Sequence, residues 1–299
     1  MSEDARAPAA FELAAGADRV VVDPAHGGRL ASLVAGGAER LLPAAAATQA
    51  PRIGWGSFLM VPWAGRLAAS TVPWQGVAHP IPATFGRHAI HGVGLDAPWA
   101  LLDRGEQHAQ LACRLADGGW PLGGTAEQRI ELAPGHLTLA ATVTAGERSM
   151  PAAVGWHPWF QRPGVGDVAL TVDADQVLVT DDELIPDGRL APVEGELDLR
   201  HGPALGDRRL DHAYVGVRGP ARVVWPDLAL QLEINVADPC YVVHTPAHGV
   251  CVEPQSAWPN APALGHRGAS GLAHLAPGRS LHVRCTWSWT TPTSKLLAE

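Results

Sequence analysis

The sequence predicts an all-β chain, a sandwich or barrel of many short strands, and three observations predict it. Several stretches alternate apolar and polar residues with period two, the mark of a half-buried strand. Glycine (33) and proline (26) punctuate the 299 residues throughout. Long runs with the spacing of an amphipathic helix are missing.

Taken in order, the one helical candidate is a short alanine-rich stretch near the N-terminus, and residues 1–17 read as a loose end. "RVVVDP" is β-branched and stops at a proline, "RLASLVAG" follows a Gly-Gly turn, and the two read as a hairpin. "HLTLAATVTA" alternates cleanly, and "DVALTVDAD" and "QVLVTD" resemble it. Residues 184–211 are polar and turn-rich and read as a long loop. "ARVVWPDLALQLEINV" gives two strands around Pro-Asp, and "SLHVRCTWSWT" is a late strand. A second loose end is expected at 291–299. No composition break or linker divides the chain, so a single domain over 1–299 is expected.

Composition excludes several classes. A hydrophobic fraction of 46% against 17% charged supports a sizeable core. The net charge of −8 argues against nucleic acid, whose phosphates need a basic face. Lys295 is the only lysine and sits in a polar tail, which disfavours Schiff-base chemistry. Cys113, Cys240, Cys251 and Cys285 form no CxxC or zinc-ribbon pattern and read as buried free thiols. The N-terminus lacks a secretory signal and no apolar run is long enough to span a membrane, so a cytoplasmic location is expected.

Chemistry concentrates in five stretches that set titratable groups among Trp, Pro and Gly: "FLMVPWAGRL" (58–67), "GRHAIHGVG" (86–94), "GWHPWF" (155–160), "LDHAYVG" (210–216) and "CVEPQSAWPNA" (251–261). They supply Arg66, His91, His157, Asp211 and Glu253. Indole faces beside hydrogen-bonding groups suit a sugar, whose C–H faces stack and whose hydroxyls need polar partners. Interconverting sugar anomers needs a base for the anomeric hydroxyl and an acid for the ring oxygen, and a Glu/His pair serves at neutral pH. No cofactor motif is present. Each residue also has a structural reading: a satisfied core histidine at 157, a salt bridge at 253 or 66, a turn cap at 211. His88 and His91 are spaced HxxH, but on a strand they would face opposite sides, which disfavours a metal pair. By the same alternation Trp156 belongs to the core and His157 to the other face.

These stretches resemble the aldose 1-epimerase (galactose mutarotase) family. "VPWAGRL" is similar to its segment ending in arginine, "IHGVG" to its His-Gly strand, "GWHPWF" to its His-Pro-aromatic-Phe strand, and "CVEPQSAWPNA" to its Glu-Pro-Gln segment. "LDHAY" matches loosely the segment that supplies a sugar-binding aspartate. The motifs fall in the family's order. The resemblance implies an antiparallel β-supersandwich with an open groove, Glu253 as general base and His157 as general acid. It implies Arg66, His91 and Asp211 as substrate contacts, with Gln255 beside the base and Trp159 at the sugar. It implies no cofactor and no metal. Two departures bear on which sugar is bound: Gly65 stands where the family often has asparagine, and Trp159 where it commonly has tyrosine.

The expected partner is a small sugar, with neither nucleic acid nor membrane, and the chain is expected as a monomer or homodimer. Three rivals remain open. A hexose-6-phosphate mutarotase would need an arginine cluster, for which Arg52, Arg66 and Arg87 are candidates. A non-catalytic carbohydrate-binding protein would keep only the groove. A glycosidase would need two carboxylates, with Asp211 and Glu253 the one pair to nominate.

Overall fold

The computed structural model describes residues 8–47, 50–265 and 270–291. Two large antiparallel sheets carry the fold. The first has 11 strands and runs, in spatial order, Phe11–Ala15, Asp18–Asp23, Arg29–Ala35, Ser57–Met60, Gly155–Phe160, Val250–Gln255, Cys240–His244, Asp211–Val215, Gln176–Thr180 and Pro186–Pro192, with Ala38–Glu39 paired to Arg29–Ala35. The second has 8 strands: Ala100–Arg104, His108–Arg114, Thr125–Ala133, His136–Thr144, Ser280–Thr290, Leu228–Ile234, Ala221–Trp225 and Ala169–Thr171. This is the antiparallel β-sandwich expected.

The alternation legible in the sequence is the burial pattern. In His136–Thr144 each second residue is buried, and its neighbours Thr125–Ala133 and Ser280–Thr290 repeat the pattern. The inward residues of both sheets meet in one apolar cluster that includes Leu13, Leu33, Trp156, Leu139, Leu230 and Trp287. Removing each such side chain from water contributes roughly 1.5–3 kcal/mol. The predicted pairs around residues 19–35 and around Pro226-Asp227 are both present. All four cysteines are buried and unpaired.

Three expectations are corrected. The N-terminal segment is neither helical nor loose throughout: Phe11–Ala15 pairs along its whole length with Asp18–Asp23, and Phe11, Leu13 and Ala15 point into the core. Alanine at 14 and 15 blurs the alternation there, which made the stretch look helical. Residues 1–7 and 292–299 lie outside the described residues. The stretch 184–211 is not all loop, because Pro186–Pro192 adds an edge strand beside Gln176–Thr180, and proline is tolerated at an edge. Asp211 is not a loop residue; it opens the strand Asp211–Val215. Among the described residues the α-helix is the single turn Ala261–Leu264, and no helix is long and apolar enough to cross a membrane.

Three central strands of the first sheet, Ser57–Met60, Gly155–Phe160 and Val250–Gln255, are buried at each position. One face of these strands is the sandwich core. The other is covered by segments that rise over the sheet and enclose a cavity.

Candidate active site

Strand register assembles the site. Gly155 lies opposite Gln255 and Trp159 opposite Cys251, which sets His157 opposite Glu253 on the adjacent strand. Trp156 and Phe160 alternate into the core cluster, while His157 and Trp159 take the other face. His157 Nε2 lies 3.2 Å from Glu253 Oε1, and the two side chains are 4% and 3% exposed. Behind the carboxylate, the fully buried Gln255 donates from Nε2 to Glu253 Oε2 at 3.1 Å. Next on that face is the strand Cys240–His244, with Val242 opposite Glu253 and His244 opposite Cys251. Asp211 pairs in register with His244.

Arg66 and His91 come from a short two-stranded antiparallel ladder outside the two large sheets, where Arg66 pairs with Ile90. The Arg66 guanidinium reaches Asp211, Nη2 to Oδ2 at 3.3 Å, and His244 Nδ1 is 3.6 Å from the same oxygen. His91 follows directly with a left-handed φ of 63°, held by its N–H donating to the Gly65 carbonyl at 3.0 Å. That conformation costs a non-glycine residue about 1–2 kcal/mol. Gly92 admits the bend, since a β-carbon there would sit 2.0 Å from the Val61 carbonyl oxygen, which accepts from Val93 and Gly94. Gly65 is equally constrained: its φ is +69° and a β-carbon would lie 2.5 Å from Pro259 Cβ. The asparagine of the resembling family therefore has no room here.

The imidazole of His157 is clamped. Phe58 stacks on one side at 4.9 Å and Trp159 on the other at 5.4 Å, and His91 meets its edge at 4.7 Å. Trp159 is itself covered on its second face by His248 at 5.4 Å. Its two stacked partners are imidazoles, which leaves the indole less free for the sugar stacking expected of it. Trp63 stacks on Trp120 in the core, and Trp258 packs against the cluster of Leu178, Ala213, Val215, Cys240 and Val242.

Arg66, His91, His157, Trp159, Asp211 and Glu253 line one cavity of about 540 Å³. Gln255 does not line it, and its side-chain amide bonds to the carboxylate. His244, His248, Thr180 and Phe85 also line it and were missed in the sequence. For His244 a signal existed, a histidine closing a β-branched strand just before the Glu253 strand. His248, on the connecting loop, had none. His88 stays outside: its Nδ1 accepts from the Ala69 N–H at 3.0 Å, and its Nε2 lies 3.2 Å from Glu183 Oε1. Among the described residues, donor atoms of His91, His157 and Glu253 gather within 4.8 Å of one another.

Burial dominates the electrostatics. It holds the Glu253 carboxyl well above the usual carboxylate range, helped by the Asp211 charge and opposed by Arg66 and the Gln255 hydrogen bond. It pushes His157 and His91 well below the ordinary imidazole value, helped by the charge of His244 in the first case and of His157 in the second. His244 is also lowered by burial, with Asp211 pulling it back up. Both shifts of the His157/Glu253 pair favour its uncharged form. One proton shared by the two keeps the pair neutral whichever end holds it, and such a pair can take a proton at one atom while giving one at the other.

A family model described as aldose 1-epimerase matches residues 10–288. A galactose mutarotase of Sus scrofa is 26% identical over 245 residues, 66% of this chain and 69% of that protein. Among solved structures, a candidate aldose 1-epimerase of Escherichia coli K12 superposes with a TM-score of 0.82 at 22% identity, covering 95% of this chain and 99% of that one. A galactose mutarotase-like protein of Clostridium acetobutylicum gives 0.81 at 19%, covering 95% of each. Fold, motif order and the match along nearly the whole sequence agree, and the chain belongs to the aldose 1-epimerase family.

Proposed function

We propose that the protein interconverts the α and β anomers of a free aldose without a cofactor, by acid–base opening and reclosure of the ring. The observation that carries the reading is the contact of His157 Nε2 with Glu253 Oε1 at 3.2 Å on a buried face that opens into the cavity. O1 and O5 of an aldopyranose share C1, so an adjacent acid and base can serve both. With the pair's shared proton on His157, Glu253 takes the O1 proton while His157 protonates O5, and the C1–O5 bond breaks to leave an open-chain aldehyde. Rotation about C1–C2 presents the other carbonyl face. On closure His157 recovers its proton from the O5 hydroxyl and Glu253 returns one to O1. The pair ends as it began, so no external proton is needed.

Arg66, Asp211 and His244 form a charged cluster suited to the ring hydroxyls, and His91 bounds the sugar beside His157. Gln255 is a positioning residue that fixes the carboxylate, and Trp159 one that fixes the imidazole.

The phosphorylated-sugar reading is disfavoured by the arginines it needs. Arg52 binds Asp96, with Nε to Oδ1 at 2.7 Å, Arg87 is paired with Glu183, and Arg66 with Asp211. Of the three, only Arg66 lines the cavity. A cytoplasmic enzyme working as a monomer or homodimer on a small sugar completes the reading. The test is anomer exchange followed by polarimetry and NMR for glucose, galactose, a pentose and hexose 6-phosphates. Catalysis of free sugars with little on the phosphates is expected. A preference for the phosphates would overturn the choice of substrate, and no exchange with any aldose would overturn the activity.

A further inference from the structure

We propose that His91, His157 and Glu253 together form a binding site for a borderline divalent cation of the zinc class, and that the ion switches the enzyme off by occupying it. The inhibitory half rests on the function proposed above; the binding half does not.

The donor set comes first. Two imidazoles and one carboxylate are the ligand types of a three-residue zinc site that leaves its fourth position open. Nitrogen donors favour Zn2+, Co2+, Ni2+ and Cu2+, whereas Mg2+ and Ca2+ prefer all-oxygen shells. The donors of a tetrahedral ion bound at about 2.0–2.1 Å stand roughly 3.4 Å apart. His157 Nε2 and Glu253 Oε1 are already 3.2 Å apart, and all three donor atoms lie within 4.8 Å of one another. Modest movement of the His91 ring closes the set.

Burial and rigidity come second. The three residues are 5%, 3% and 2% exposed. His157 is fixed between Phe58 and Trp159, and His91 stands at 87° to it, so the two imidazoles converge on the carboxylate from different directions. Gln255 holds the second carboxylate oxygen. The cavity supplies the open face, where water can complete the shell.

The site is not built for a permanent metal. Resident zinc histidines usually hold their second nitrogen against an acceptor. His91 Nδ1 and His157 Nδ1 have no such partner. The ion should therefore bind exchangeably, and a chelator should leave the metal-free enzyme as active as before. While bound, the ion uses the Glu253 lone pair that accepts the O1 proton and the His157 nitrogen that delivers a proton to O5. Sugar and metal then exclude one another.

Co2+ titrated into the chelator-treated full chain is the test, read by visible d–d absorption. One equivalent should bind, Zn2+ should displace it and Mg2+ should not. The band should vanish in Glu253→Gln and in His91→Ala and persist in Asp211→Asn. X-ray absorption on the zinc-loaded wild type should count two imidazole ligands, a readout that needs no variant to fold. In polarimetry, Zn2+ at about 100 times its dissociation constant should slow exchange about 100-fold at low sugar, reversibly by chelator and less at high sugar. An active protein with no band, a band that survives both ligand variants, or another imidazole count overturns the site. A chain that binds Co2+ as described and exchanges no anomers keeps the site and overturns the proposed function.

Discussion

Glu253→Gln separates the chemistry of the carboxylate from its place in the fold. The substitution removes one ionisable group and almost no volume. Glu253 is 2% exposed, and burial is the largest cause of its raised pKa. In the unfolded chain a glutamate titrates near about 4.3. A pKa raised in the folded state adds stability that is complete below the unfolded value and is lost as pH rises through the folded one. Glutamine has no such dependence. Wild type should therefore lose melting temperature relative to the variant as pH rises above the unfolded glutamate's range, with the gap in the variant's favour widening until the folded carboxyl itself ionises. Catalysis should move the opposite way. A positioned general base is worth about 10²–10⁴ in rate, or about 3–5 kcal/mol of barrier. The Gln255 amide can still donate to the new side-chain carbonyl, so sugar binding should survive. Calorimetry across pH and polarimetry of freshly dissolved α-sugar read the two halves separately. Undiminished turnover would remove Glu253 from the mechanism. Melting temperatures that run parallel at all pH values would mean that burial is not what sets its ionisation.

Gln255→Leu removes the donor at 3.1 Å from Glu253 Oε2 and lifts the carboxyl pKa further, so the acid limb of the kcat/KM profile should shift toward higher pH. Turnover should fall about 10- to 100-fold, as for loss of a charged hydrogen bond, with KM nearly unchanged because Gln255 lies outside the cavity; a changed KM with an unmoved profile would contradict this. Trp156→Ala should cost about 3–5 kcal/mol in denaturant unfolding, since the ring is 1% exposed in the core beneath the site. Gly65→Asn should destabilise by about 1–3 kcal/mol through its clash with Pro259, and a neutral result would show that this loop can yield.

What could be read from the sequence was local, and what could not was set by partners far along the chain. Period-two alternation needs only neighbours, so it located His136–Thr144 and placed Trp156 and His157 on opposite faces. It failed where alanine hides the polar half of the period, at Phe11–Ala15, and where proline and charge disguise an edge strand, at Pro186–Pro192. The motifs named Arg66, His91, His157, Asp211, Gln255 and Glu253. Their grouping depends on register between strands far apart in the chain, as between Gly155 and Gln255. The same distance in sequence hid the partners that decide function. Arg52, Arg66 and Arg87 stay open as a rival's phosphate cluster until Asp96, Asp211 and Glu183 are seen to neutralise them. Trp159 read as a sugar platform until imidazoles were found on both its faces. These two corrections have a common consequence. With the arginine charge cancelled and the indole faces filled, affinity for a particular sugar has little to rest on beyond the Arg66–Asp211–His244 cluster. The most closely held feature of the cavity is the His157–Glu253 pair proposed to exchange protons: packed by rings, backed by Gln255 and buried. On the proposed mechanism, a site arranged in that way would concentrate its specificity on the C1–O5 edge that all aldopyranoses share, and it should discriminate among free sugars less by size or charge than by the hydroxyls that reach Asp211.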